Sequence, residues 1–162
     1  MSPARRQDTP QPDAEAVYKV IANYKRSEPE VAEQLEAFFD LFRGLGVPMT
    51  FSPLSLVALD EAFPALIEQI EQEVGKGTEA EGENLMYMIQ LAGFWYGTLI
   101  VEELGGTWNH GDDDEGSVID NAREQDGPLD PFEPFIEKAR NPKYSLVKEF
   151  EKRIGRGLLE EE

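Results

Sequence analysis

From Leu85 to Val101 the chain runs for 17 residues without a charge, and its apolar side chains fall on every side of a helical wheel. A helix apolar all round belongs in a protein core or in a membrane. The run is short for a membrane span. Acidic residues flank both ends, and no Lys or Arg stands beside it to set an orientation. It therefore predicts a central helix over Asn84 to Leu104, wrapped by other elements, with Gly93 and Gly97 letting its neighbours approach closely.

Periodicity and caps supply those neighbours. Asp13 reads as an N-cap, with Ala14, Val17, Tyr18, Ile21 and Ala22 at helical spacing behind it. Ser27 and Glu30 form the pattern of a capping box around Pro29. Val31, Leu35, Phe38, Phe39 and Phe42 then make one apolar stripe, which Gly44 stops. A further helix opens at Ser52-Pro53 and carries Leu56, Leu59, Phe63, Leu66, Ile67, Ile70 and Val74 inward. Pro64 within it predicts a kink or a division into two shorter helices. Gly75 to Glu83 reads as a mobile polar linker.

Gly105-Gly106 ends the central helix, and two short extended stretches, from Thr107 and from Ser117, flank an acidic turn over His110 to Gly116. Asp130, Pro131 and Glu133 predict a capped helix with Phe132, Phe135, Ile136 and Ala139 inward. Asn141-Pro142 starts a last helix, with Leu146, Val147, Phe150 and Ile154 inward and Gly155 at its end. The expected fold is α+β and mainly α: about six helices around a central apolar helix, with a small β-hairpin after it. Residues 1–12 read as a disordered tail, 13–156 as a single helix-rich domain and 157–162 as an acidic tail.

Charge narrows the partners. The net charge is -18, and residues 44–135 carry -17 of it. A field of that sign repels phosphates and anionic lipid, so neither nucleic acid nor a membrane is expected, and a basic protein is. The plainer reading is that the acidic surface serves solubility. Between Lys138 and Arg156 stand seven Lys/Arg. They could bind phosphate or an acidic peptide, but internal pairing with the acidic middle, or with a second subunit in a homodimer, is simpler. With no Cys, a disulfide, a thiolate metal site and a Cys nucleophile are excluded. Met1 to Pro12 has no apolar stretch of a secretory signal, and the expected compartment is the cytoplasm.

Candidate chemistry gathers at the end of the uncharged helix. Glu102, Glu103, Trp108 and His110 lie there, and they are the candidates for ligand or partner binding. His110 is the sole imidazole, so any imidazole base must be this residue. The acidic run Asp112 to Glu115 offers hard oxygen donors, with Asp112 and Asp114 as candidate metal ligands. Its acids are consecutive, unlike the alternate spacing of a calcium loop, and a solvated turn is the competing reading. Tyr87, Trp95, Tyr96 and Trp108 either pack the core or line a cleft. Gly75-Lys-Gly-Thr lacks the spacing of a phosphate loop, and no cofactor and no catalytic residue are assigned.

The apolar helix closing in Gly105-Gly106-x-Trp108, the Pro131-Phe132 helix start and the amphipathic segment Leu146 to Phe150 form one series. From about Ser55 to Ile154 it resembles a family of small, mostly uncharacterised bacterial domains. Some members of that family look like immunity or partner-binding proteins. The resemblance implies binding rather than catalysis. The acidic insert from Asp112 to Asp126 departs from it, being longer than the turn the family would imply. The leading expectation is a non-enzymatic acidic binding or immunity-like protein. The alternative is a hydrolase or metal-dependent enzyme centred on His110 with Glu102 and Glu103.

Overall fold

A computed structural model describes residues 12–47, 49–110, 117–123 and 127–155. The expected tails (apart from Pro12), Asp112, Asp114 and the rest of the acidic turn beyond His110 lie outside the described residues. Among them are six helices and one two-stranded hairpin, so the fold is α+β and mainly α. The chain groups into two compact units, 1–51 and 52–162.

The first unit packs α1 (Pro12–Ser27) against α2 (Pro29–Gly44). Val17 and Ile21 of α1 are buried, as are Val31, Leu35, Phe38, Phe39 and Phe42 of α2. Phe39 meets Phe38 and Phe51 edge to face, at centroid distances of 5.4 and 5.2 Å. Two cap expectations are corrected. Asp13 lies inside the first turn of α1. Ser27 remains helical, and its hydroxyl donates back to the Asn23 carbonyl. No side chain caps α2, which starts at Pro29, a residue with no N–H to satisfy. α2 ends at Gly44, the expected stop, and the chain leaves it through Gly46, at φ +76°.

The second unit is built on α3 (Pro53–Val74) and α4 (Glu79–Leu104). Ser52 caps α3 by accepting from the Ser55 amide. The helix continues through Pro64 rather than dividing there. An interior proline costs about 3 kcal/mol. Burial of Leu56, Leu59 and Phe63 offsets it, at roughly 1.5–3 kcal/mol for each such side chain. The expected mobile linker is shorter than the sequence suggests, because Thr78 starts α4 five residues early. Its Oγ1 accepts from the Glu81 amide at 3.1 Å, while Glu81 accepts from the Gly77 amide at 2.7 Å. Glutamates in that first turn also suit the positive end of the helix dipole.

α4 therefore has 26 residues and spans about 39 Å. Only its C-terminal half is a core helix. From Leu91 to Ile100 every residue but Phe94 is buried, whereas none from Glu79 to Tyr87 is. No helix among the described residues is long and apolar enough to cross a membrane. α4 ends at Gly105, and the strands β1 (Thr107–His110) and β2 (Ser117–Asp120) pair antiparallel, with Trp108 opposite Ile119. Arg123 closes the helix end: its amide donates to the Leu104 carbonyl and its guanidinium to that of Glu103.

α5 (Glu133–Arg140) and α6 (Leu146–Ile154) complete the unit, both packing on α3. Asp130 accepts from the Phe132 amide just ahead of α5, in an Asx turn, and no side chain caps the helix itself. The inner face of α5 is Pro134, Phe135 and Lys138, with Ile136 and Ala139 only half-buried. α6 starts at Ser145, which accepts from the Lys148 amide, and ends at left-handed Gly155.

Two of the three glycines of α4 act as notches. A Cβ on Gly93 would lie 2.0 Å from the Phe132 ring, and one on Gly97 would lie 2.4 Å from the Trp108 indole. Gly93→Ala and Gly97→Ala are each expected to lose about 1–3 kcal/mol to overpacking in urea titrations. Gly82→Ala in the same helix meets nothing within 4 Å and should be neutral or stabilising, by up to about 1 kcal/mol.

Candidate functional site

Trp108 and His110 stand two residues apart on β1, so both side chains leave the same face of the hairpin. Trp108 points into the unit and is buried, its indole 5.5 Å from the Phe94 ring. His110 lies farther out and exposed, stacked on the indole at 6.0 Å with the planes 8° apart. Its Nδ1 is 2.6 Å from the hydroxyl of Ser117, the residue opposite it in register. On the other face, Asn109 donates to the Asp120 carboxylate at 2.6 Å.

Glu102 and Glu103 belong to the last turn of α4. Partial burial, and behind it repulsion from Glu103, raises the Glu102 carboxyl above its ordinary value. The structure thus brings Trp108 and His110 into contact and sets Glu102 beside Glu103. Asp112 and Asp114 lie outside the described residues, among which no group of three His, Asp or Glu could hold a metal. The aromatics also separate. Trp95 and Tyr96 are fully buried, Trp108 nearly so, and Tyr87 is 53% exposed.

Two buried polar clusters were not foreseen from the sequence. Lys138 pairs with Asp60 at 3.0 Å, with both side chains largely buried. The ammonium also donates to the Tyr144 carbonyl at 2.7 Å. Asp60 in turn accepts the Leu146 amide at 3.0 Å and the Val147 amide at 3.4 Å, capping α6 from α3. In the second cluster, Glu149 accepts from both the Tyr96 hydroxyl and the Arg153 guanidinium. Burial first, then the Glu149 charge and hydrogen bond, push the Tyr96 phenol well above its ordinary value against an opposing pull from Arg153. A signal for the first cluster exists in the sequence. Asp60 interrupts the apolar period of α3, and Lys138 sits three residues from Phe135 on the inner face of α5.

The first unit holds a cleft of about 1050 Å³, floored by Val17, Ile21, Phe39 and Met49. Its rim includes the ion pairs Lys25–Glu36, at 3.0 Å, and Arg43–Asp40, at 2.9 Å. Compared with protein families, curated proteins and solved structures, the chain matches none.

Removing one partner of a buried pair strands the other charge. Lys138→Met is expected to cost about 3–5 kcal/mol, and adding Asp60→Asn should cost less than the two single changes summed. Urea unfolding of the three variants measures this. The Tyr96 phenol holds its proton more tightly when folded. Its contribution is therefore intact below about pH 10 and lost as the pH rises further. Stability should fall above that pH, and Tyr96→Phe should flatten part of the fall in a pH series of melting curves.

Proposed function

We propose that this chain is a non-enzymatic binding protein whose acidic surface engages a basic protein partner. The observation that carries this reading is the concentration of charge: -17 of the net -18 falls between residues 44 and 135. Three of the seven cations between Lys138 and Arg156 are drawn into local contacts. Lys138 is consumed by Asp60, Arg140 lies 3.5 Å from Glu137, and Arg153 is bonded to Glu149. That supports internal pairing of part of the basic C-terminal stretch. The immunity-like role that the resemblance implies is one form such binding could take, the acidic surface occupying the basic surface of a partner.

The test is capture of partners by the immobilised chain at about 0.1 M and about 1 M salt, where the screening length falls from about 10 to about 3 Å. Basic proteins retained at low salt and released at high salt are the expected result. A partner whose retention ignores salt would contradict the electrostatic mechanism.

A further inference from the structure

The geometry points to a docking arm: we propose that the outer halves of α3 and α4, Pro64–Val74 and Glu79–Tyr87, bind a basic amphipathic helix of a partner protein. This rests on the acidic-binding reading and narrows it to one surface and one partner shape.

No residue of α3 beyond Phe63 is buried, and none of α4 before Met88. The stretch between them is nevertheless rich in apolar side chains. Leu66, Ile67, Ile70 and Val74 recur at helical spacing and are only half-buried, while Met86 and Tyr87 are 56% and 53% exposed. Ile67 and Met86 share a level. The turn Gly75–Thr78 joins the two helices, which pack together, and Ile67 and Met86 each stand seven residues from the helix end at that turn. At 1.5 Å per residue, both lie about 10 Å from the tip. Two packed helices that both carry exposed or half-exposed apolar side chains offer a surface against which a third helix can pack.

Charge selects the occupant. From Pro64 to Tyr87 the arm carries six glutamates against one lysine. A second copy docked arm to arm would set like charges against each other, and nucleic acid or anionic lipid would be repelled. A basic segment without an apolar face would leave Met86 and Tyr87 in water. A helix with one basic and one apolar face satisfies both features.

The probe is a synthetic helical peptide with Leu and Lys segregated to opposite faces, compared with a scrambled isomer and with polylysine of equal length. Binding to the full-length chain would be read by fluorescence anisotropy at about 0.1 M salt. The segregated peptide should bind at least about tenfold more tightly than the other two. The double variant Met86→Ser/Tyr87→Ser should lose about tenfold, with its urea midpoint unchanged because both side chains are exposed. Leu54→Ser, an exposed apolar side chain removed at the far end of α3, should bind as the parent does. Equal binding of all three probes would overturn the arm and leave the charge-based reading standing. Failure of every basic probe to bind would overturn both. A homodimer dissolved by the Met86/Tyr87 change would make the arm a self-association face and overturn the proposal.

Discussion

Two aromatic rings seated against glycines hold the second unit together. α4 is apolar on all sides over its C-terminal half, and such a helix must be covered from several directions at once. Gly97 and Gly93 remove the side chains that would keep Trp108 and Phe132 at a distance. The hairpin that follows α4 and the segment that opens α5 can therefore fold back onto it at ring-contact distance. Phe94, between the two notches, meets both rings, at 5.5 Å from Trp108 and 5.2 Å from Phe132. Where the hairpin lies, and so where His110 stands, follows from this seating.

Features that depend on residues close in the chain could be read from the sequence. The uncharged run, the glycines inside it, the Ser52 cap, the hairpin after Gly105-Gly106 and the stop at Gly155 are all local patterns, and the structure contains each of them. The misreadings near helix ends have one cause: competing local signals. Three glycines between Gly75 and Glu83 suggested disorder, although Thr78-x-x-Glu81 among them is a helix start. Ser27 and Glu30 matched a capping pattern, but α1 runs on through Ser27 and uses that hydroxyl itself.

The buried ion pair belongs to a different class of miss. A charged side chain on an apolar helix face can be read only once its partner is known, and Asp60 and Lys138 belong to different helices. The same holds for Glu149, whose partner Tyr96 looked in sequence like one more aromatic of the central run. Among the candidate residues, the sequence found the place where Trp108 and His110 gather. It could not show that one ring would be enclosed and the other left outside, since that depends on the depth of the Gly97 notch.

α6 begins with a borrowed cap. It has nine residues, too few to be a stable helix alone, and the carboxylate that accepts its Leu146 amide lies 86 residues earlier in the chain. Closing so long a loop carries an entropic cost that α6 cannot meet by itself. The helical hairpin of α3 and α4, joined by a four-residue turn, has no such debt. The start of the final helix thus rests in part on a contact that only the folded unit supplies.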